Sequence, residues 1–241
     1  MKISAMIFAA GLGTRLFPLT AEKPKALVEI GGKTLLESAI EKIIHAGITH
    51  IVINTHHFSE RIIDFLNTHQ FDAEIIISDE TEKLLDTAGG LKYAESYFQN
   101  SNHLLLYNVD ILSSINLTQM FEAHLHQNAL ATIAVKQRTT KRYFIFEKES
   151  LQLGGWKNIE TGEEKLIREM HHPIDLAFSG IHYVKRDIFD FISSTEKKSI
   201  TPLYIELASK YPIYGYWHQN DDWIDVGKYD ELIKIYGNNV K

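Results

Sequence analysis

The chain has 241 residues, of which 44% are hydrophobic and 23% are charged. These values are ordinary for a folded protein with a buried core and argue against disorder. The formal net charge of -6 gives no electrostatic reason to expect binding along a nucleic-acid backbone. Because the sequence contains no cysteine, disulfides, thiolate catalysis and zinc–sulfur sites are excluded.

The sequence begins with an apolar segment, residues 3–10, that leads directly into a glycine-rich loop. The segment is too short to span a membrane and has only Lys2 as a charged flank, which is atypical of a signal peptide. A strand covered on both faces gives such a continuous apolar run. We therefore expect a buried first strand in a cytoplasmic protein without membrane association.

Strand-like and helix-like segments alternate in the first half of the chain. The predicted strands are 3–10, Ile51–Ile53, Ile75–Ile77 and Leu104–Leu106. The helices predicted from apolar spacing are 35–44 with Gly47 as its end, 59–66 with Ser59 as its cap, and Gly90–Phe98. This alternation predicts a parallel sheet with right-handed crossovers.

The second half has a different pattern. Strand-like stretches separated by charged turns run from Leu130 to Trp156, with no obvious helix, and predict an antiparallel or mixed extension of the sheet. The remaining predicted elements are strands at Ala177–Val184 and Tyr214–Trp217, and helices at Asp187–Ile192, from Thr201–Pro202 onward, and at Lys228–Tyr236.

The loop after the first strand is the most informative segment. It contains Ala10, Gly11, Leu12, Gly13, Thr14 and Arg15, and Lys25 follows shortly after it. Glycines allow a sharp turn and close approach of a ligand, and free amides in such a turn suit phosphate oxygens. The loop lacks the third glycine of the dinucleotide fingerprint and the Gly-Lys-Ser/Thr ending of the P-loop. A dinucleotide-dependent oxidoreductase is therefore disfavoured.

Two strand ends carry a carboxylate. Asp110 follows the apolar run Leu104–Leu106, and Asp225 follows Trp223-Ile224 and precedes Gly227. In open α/β sheets, ligands bind at the carboxyl ends of the strands. A magnesium ion needs few protein oxygens, so these two aspartates could hold one if the two strands converge.

The string Gly11-x-Gly13-Thr14-Arg15-x-x-Pro18-Leu19-Thr20, with Pro24-Lys25-Ala26-Leu27, resembles the signature of the nucleotide-diphospho-sugar pyrophosphorylases, or sugar-1-phosphate nucleotidyltransferases. The resemblance covers nearly the whole chain. It is closest to the short members, such as N-acetylmuramate-1-phosphate uridylyltransferases and mannose-1-phosphate guanylyltransferase-like proteins.

The resemblance implies an α/β fold: a three-layer α/β/α, Rossmann-like nucleotidyltransferase (glycosyltransferase A-like) arrangement with a mixed, mostly parallel sheet. We expect a single domain over 1-241, with a nucleotide-binding half at 1-136 and a sugar-phosphate-binding half at 137-241. The expected reaction joins a nucleoside triphosphate to a sugar 1-phosphate with the help of Mg2+ and releases pyrophosphate. A monomer and a homodimer are both compatible with the resemblance.

The family's functional positions map onto residues of this sequence. Catalytic roles fall on Arg15, Lys25 and Asp110, and the metal ligands would be Asp110 and Asp225. The nucleotide-binding set implied by the resemblance is Ala10, Gly11, Leu12, Gly13, Thr14, Arg15, Lys25, Thr87, Gly89 and Gly90. The implied substrate-binding set on the sugar side is Asn108, Tyr143 and Gly180.

Three positions depart from the family pattern. Val109 stands where the family usually has glycine before the first aspartate, and Ala88 stands where close relatives often have glycine. Tyr143 stands where the muramate enzymes have an aspartate, which weakens a direct transfer of muramate specificity. The substrates we expect are UTP with an N-acetylmuramate-type sugar phosphate, or GTP with mannose 1-phosphate.

Two other activities remain compatible with the sequence. One is a nucleotidyltransferase acting on a non-sugar phosphate such as phosphocholine. The other is a nucleotide-binding regulatory protein without catalysis, although Arg15, Lys25, Asp110 and Asp225 are all present.

Overall fold

The computed structural model describes residues 1–194, 196–227, 229–237 and 240. The strands are β1 (Ile3–Phe8), β2 (Glu29–Ile30), β3 (Lys33–Thr34), β4 (His50–Thr55), β5 (Glu74–Asp79), β6 (His103–Asn108), β7 (Ile111–Ser113), β8 (Ala131–Lys136), β9 (Arg142–Glu147), β10 (Leu153–Asn158), β11 (Glu163–Leu166), β12 (Pro173–Lys185), β13 (Ile213–Trp217) and β14 (Trp223–Asp225). The helices are α1 (Leu35–His45), α2 (Ser59–Thr68), α3 (Asp86–Tyr93), α4 (Leu117–His126), α5 (Ile200–Leu207) and α6 (Tyr229–Tyr236). Short 3-10 helices occupy Thr14–Leu16, Lys25–Leu27, Glu95–Phe98 and Arg186–Phe191.

One mixed sheet runs through both halves of the chain, in the order β11-β10-β9-β12-β6-β1-β4-β5, with β8 paired to β12 and β13. Strands β6, β1, β4 and β5 are parallel, as the alternation of elements predicted. Strand β12 is antiparallel to β6, β8 and β9, and this gives the antiparallel extension predicted for the second half.

The sheet separates two apolar layers. Alternate residues of β1 show this arrangement: Ala5 and Ile7 pack into a core with α1 and α4, whereas Met6 packs into a second core with α3 and α5. All three side chains are fully buried, and the alternation follows from the opposite direction of successive side chains in a strand. The predicted three-layer α/β/α class is therefore confirmed.

The first helix is defined by its ends. The side chain of Thr34 accepts a hydrogen bond from the Glu37 amide (3.0 Å), which caps the beginning of α1. Gly47 has φ 79° and donates its amide to the Ile44 carbonyl (2.8 Å). The predicted stop at Gly47 is therefore confirmed, because a left-handed residue after a helix favours glycine.

Several predicted element boundaries were wrong. The first strand ends at Phe8 rather than residue 10, because the amides of Ala9 and Ala10 bond a side chain instead of a neighbouring strand. Ser59 is the first residue of α2, and its hydroxyl pairs with that of Thr55 (2.8 Å) rather than capping the helix.

The helix predicted over Gly90–Phe98 begins earlier, at Asp86, and ends at Tyr93. The carbonyl of Lys198 accepts the amides of Ala88 (2.8 Å) and Gly89 (3.2 Å). These tertiary bonds let a helix form over glycines, whose intrinsic helix propensity is low.

The other differences lie in the second half. No element was predicted over 111–129, where β7 and α4 form. The segment Asp187–Ile192 is a 3-10 helix over Arg186–Phe191. In the predicted closing helix, Lys228 lies outside the described residues, and α6 begins at Tyr229.

No helix in the described part of the chain is long and apolar enough to cross a membrane.

Candidate active site

A cavity of about 440 Å³ lies at the carboxyl ends of β1, β4 and β6. Its lining includes seven residues of the predicted site: Ala10, Gly11, Arg15, Lys25, Thr87, Asn108 and Asp110. The remaining lining residues are Phe8, Ala9, Asn54, Leu84, Asp86, Val109 and Lys197. The position agrees with the general rule that open α/β sheets bind ligands beyond the carboxyl ends of their strands.

The glycine loop leaves β1 and forms one wall of this cavity. Gly13 has φ 66°, and a Cβ there would lie 3.0 Å from Cγ2 of Thr20 and 3.1 Å from Cβ of Lys25. Glycine therefore fits both the backbone and the space at this position. Thr20 fixes the loop by donating its hydroxyl to the Gly13 carbonyl (2.9 Å). Within the described residues, no hydrogen bond uses the amides of Gly11 and Leu12, so both can donate to a ligand.

Lys25 and Asp110 form an ion pair at the floor of the cavity. Both side chains are largely buried, with 11% and 16% of their surface exposed. An ion pair withdrawn from water in this way is weakly screened and keeps both charges in place. Arg15, on the adjacent 3-10 helix, adds a second cation to the lining.

Asp225 reaches the same place from the far end of the chain. Strand β14 is antiparallel to β7, with Asp225 opposite Ile111, and the Val226 amide donates to the Asp110 carbonyl (3.0 Å). Burial raises the pKa of Asp225, and the neighbouring Asp110 charge raises it further. The Gly227 amide, which donates to Asp225 Oδ1 (2.8 Å), opposes this shift.

Gly227 lies at the point where the charged groups meet. A Cβ at this position would lie 2.6 Å from Asp225 Oδ1, 3.0 Å from Arg15 Nη2 and 3.2 Å from Asp110 Oδ2. A side chain at this position would therefore displace the charged ends of these three residues. Because Gly227 has no side chain, the guanidinium of Arg15 and the carboxylates of Asp110 and Asp225 can lie around one small volume.

The two carboxylates suit a divalent cation. Asp110 and Asp225 offer hard oxygen ligands. The pKa of Asp225 is raised first by burial and second by the charge of Asp110, and a bound cation would offset this second effect. No cluster of three or more histidine or acidic side chains with metal-binding geometry occurs among the described residues. A magnesium ion held by two protein carboxylates needs water and phosphate for its other positions.

The second predicted nucleotide segment lies mostly inside α3. Thr87 lines the cavity, and its hydroxyl accepts a hydrogen bond from the Ile200 amide (2.9 Å). Gly89 and Gly90 are buried, and their Cα atoms pack against the Glu196 backbone and the Glu80 carboxylate, respectively. Their role in binding a nucleotide stays a prediction.

Of the residues predicted to bind the sugar phosphate, Asn108 lines the cavity, and Gly180 packs against Asn108. Gly180 has φ 76°, and a Cβ there would lie 2.7 Å from Cγ1 of Ile111 and 3.1 Å from Nδ2 of Asn108. Tyr143 lies in β9, and its hydroxyl accepts the Thr140 amide (3.0 Å). Leu12, Gly13, Thr14, Tyr143, Gly180 and Asp225 are not part of the cavity lining. The substrate-binding roles of Tyr143 and Gly180 stay predictions.

Three polar lining residues were missed by the sequence analysis: Asn54, Asp86 and Lys197. Asn54 is the last residue but one of the apolar strand β4, and Asn108 is the last residue of β6, so a search for polar residues at strand ends could have found Asn54. Lys197 lies in a charged loop without any motif, and only the fold brings it to the cavity.

The model of the nucleotidyl transferase family matches residues 4–239 of this chain. The chain belongs to the nucleotidyl transferase family. The resemblance seen in the glycine loop and in the two aspartate segments is therefore confirmed at the level of the family.

Two relatives illustrate the range of this family. The chain is 41% identical over 93 residues to an N-acetylmuramate alpha-1-phosphate uridylyltransferase of Caulobacter vibrioides, a match covering 37% of this chain and 38% of the relative. It is 28% identical over 230 residues to a mannose-1-phosphate guanyltransferase of Yarrowia lipolytica, covering 94% of this chain and 61% of the relative. The matches therefore span less than two thirds of each relative's length.

Solved structures share the nucleotidyl transferase fold. A UDP-glucose pyrophosphorylase from Acinetobacter baumannii superposes with a TM-score of 0.78 at 18% identity, covering 97% of this chain and 92% of that chain. Members of the family generally use a divalent metal ion, which agrees with the two neighbouring carboxylates, Asp110 in the cavity lining and Asp225 behind it.

Proposed function

We propose that this nucleotidyl transferase joins a nucleoside triphosphate to a sugar 1-phosphate, forming a nucleoside diphosphate sugar and pyrophosphate. The observation that supports this most strongly is the convergence of Arg15, Asp110 and Asp225 around Gly227, with Lys25 paired to Asp110, beside a glycine loop with free amides. Phosphoryl transfer requires such an arrangement, because the reaction depends on holding and neutralising negative charge.

The reaction needs no protein nucleophile or general base. An oxygen of the sugar phosphate, which is already ionised, forms a bond to the α-phosphorus of the triphosphate. The bond from that phosphorus to the bridging oxygen breaks, and its electron pair leaves with pyrophosphate. Positioning and electrostatic stabilisation supply the rate enhancement.

Each charged group then has a separate task. The Gly11 and Leu12 amides would bind phosphate oxygens, and Arg15 would neutralise the leaving pyrophosphate. Lys25 would stabilise charge at the attacked phosphorus while holding Asp110 in place. Asp110 and Asp225 would hold a Mg2+ ion, which when bound supplies positive charge to the phosphate oxygens.

We further propose UTP with an N-acetylmuramate-type sugar phosphate, or GTP with mannose 1-phosphate, as the substrates. Two relatives support these pairs by their named activities. The sugar phosphate would approach from residues 137-241, since Gly180 packs against Asn108 on that side. The cytoplasm, which supplies nucleoside triphosphates, is the proposed compartment.

Pyrophosphate release with Mg2+ tests this proposal, across four nucleoside triphosphates and a panel of sugar 1-phosphates and phosphocholine. Release with one pair, lost in Asp110→Asn and retained in the exposed control Asp222→Asn, is the expected result. Pyrophosphate release with phosphocholine alone would show that the acceptor is a non-sugar phosphate and not a sugar 1-phosphate. Triphosphate binding without turnover across the panel would contradict catalysis and favour a regulatory protein.

A further inference from the structure

Two polar side chains are buried beneath the candidate site. Asn54, at the end of β4, is 2% exposed, and Glu80, just after β5, is 3% exposed. A buried carboxylate and a buried carboxamide are costly unless their polar atoms have partners. Both residues have hydrogen-bond partners on each side, and these lie in or directly before the two segments predicted to bind the nucleotide.

The carboxamide of Asn54 holds the beginning of the glycine loop. Its Oδ1 accepts the amide of Ala9 (2.8 Å) and, at a longer distance, that of Ala10 (3.4 Å). Its Nδ2 donates to Oε1 of Glu80 (2.7 Å). Asn54 borders the cavity, but these polar atoms are already engaged with protein groups.

The carboxylate of Glu80 holds the second segment. Its Oε2 accepts the amide of Leu85 (3.1 Å), one residue before α3 begins. The Cα of Gly90 lies so close to Oε1 that any Cβ at this position would collide with it. Gly90 therefore provides space for the buried carboxylate beneath the helix.

The two side chains form one continuous chain of hydrogen bonds from Ala9 to Leu85. The donor and the acceptor of each hydrogen bond are fixed. Both oxygens of Glu80 accept, and an ionised carboxylate has two oxygens that act only as acceptors. Replacing Glu80 by glutamine would therefore place a donor against a donor at one of the two contacts. A buried mismatch of this kind is more costly than the loss of an exposed bond.

We propose that Asn54 and Glu80 are positioning residues that fix the separation between the glycine loop and the segment 85–90, and thereby determine the affinity for the nucleoside triphosphate. This inference rests on the proposed nucleotidyl transfer. The pair acts through the backbone of Ala9, Ala10 and Leu85.

Steady-state kinetics of four variants test the proposal. Glu80→Gln and Asn54→Asp should each raise the KM for the triphosphate about tenfold, which corresponds to about 1.4 kcal/mol of binding free energy. Each should change kcat by less than about threefold. Glu82→Gln, an exposed glutamate two residues away, should leave KM unchanged. Thr132→Val, which breaks the buried hydrogen bond to His124 far from the cavity, should lower the melting temperature without changing KM.

A double variant separates positioning from simple destabilisation. In Asn54→Asp/Glu80→Gln, the hydrogen bond between the two side chains runs in the opposite direction. The carboxylate at 54 accepts hydrogen bonds from the Ala9 amide and from the carboxamide NH2 group at 80. The carboxamide oxygen at 80 then accepts the Leu85 amide. KM should return to within about threefold of the wild-type value. Unrestored KM in the double variant, or unchanged KM in both single variants, would overturn the proposal.

Hydrogen exchange gives a result that does not depend on activity. In Glu80→Gln, exchange should increase at the amides of Ala9, Ala10 and Leu85, and the double variant should restore their protection. Unchanged exchange at Ala9 and Ala10 would overturn the proposal. If the wild-type protein released no pyrophosphate with any substrate pair, the proposed function would fail, and exchange would still decide whether the pair holds both segments.

Discussion

Asp225 lies beside Asp110 because β14 pairs with β7, and the Val226 amide extends this pairing by donating to the Asp110 carbonyl (3.0 Å). The two aspartates come from distant parts of the sequence, and neither alone is distinguishable from an ordinary turn residue. Their proximity is the geometric basis of the proposal that they hold a divalent cation.

Replacement of one carboxylate should weaken metal binding before it affects the fold. In Asp225→Asn, we expect pyrophosphate release at fixed Mg2+ to fall by about a hundredfold or more, as seen for single groups that stabilise developing charge. Part of the loss should be recovered at higher Mg2+, because the remaining carboxylate binds more weakly. Chelation by EDTA should stop the wild-type reaction, and added Mg2+ should restore it.

The control for this prediction is Asp222→Asn, an exposed carboxylate near the beginning of the same strand. Its Mg2+ dependence should match that of the wild-type protein. Equal Mg2+ dependence in Asp225→Asn would contradict the assignment of Asp225 as a ligand.

Gly227→Ala tests whether the space between the charged groups matters. An added Cβ would lie 2.6 Å from Asp225 Oδ1, so the carboxylate must move and its geometry toward Asp110 must change. We expect a loss of activity of about a hundredfold, the effect of misplacing one catalytic group by about 1 Å. Gly162→Ala is the comparison, because Gly162 lies in a turn outside the cavity lining and a Cβ there has no protein atom within 4 Å. Full activity in Gly227→Ala would show that these groups need not converge.

Lys197 should contribute binding affinity from the second half of the chain. It is exposed and lines the cavity, so its charge can contact the phosphates of a bound triphosphate. In Lys197→Met, the KM for the triphosphate should rise about fivefold at low salt, and less at high salt because the charge is screened. The adjacent Lys198→Met is the control. Equal KM values in the two variants would exclude this role.

Acid should destabilise the protein through buried histidines. Burial lowers the pKa of His124 and His182 to about 3. Burial, together with the positive charges of Lys136 and Arg138, lowers the pKa of His218 to about 4. In the unfolded chain these histidines have the ordinary pKa of 6.5. Between about pH 6.5 and pH 4 the unfolded chain therefore binds more protons than the folded chain. The free energy of unfolding should therefore fall as the pH decreases, by about 1.4 kcal/mol per pH unit for each histidine.

Urea denaturation between pH 7 and 4.5 measures this dependence. His124→Gln should be less stable at pH 7, because His124 bonds both His103 (3.0 Å) and Thr132 (2.9 Å). Its stability should nevertheless depend less steeply on pH. His126→Gln, an exposed histidine of the same helix, should keep the wild-type slope. An unchanged slope in His124→Gln would rule out its part in acid sensitivity.

Local patterns were read correctly where neighbouring residues decide the structure. The alternation of apolar strands and helices, the stop at Gly47 and the glycine loop depend on side-chain periodicity and on allowed φ values. The pattern failed at residues 86–89, which lie in α3 although the helix was predicted to begin at Gly90. There, bonds from the amides of Ala88 and Gly89 to the carbonyl of Lys198 override local propensity.

The sequence by itself determined the family, and it predicted the phosphate-binding loop and the candidate charges Arg15, Lys25, Asp110 and Asp225. Only the tertiary structure brought Arg15, Asp110 and Asp225 together around Gly227 and paired Lys25 with Asp110. It also added Lys197 to the cavity and joined Asn54 to Glu80 beneath it. The physical reason is that motif chemistry is encoded in neighbouring residues. The distances between motifs depend on strand order and register, which the packing of the whole sheet decides.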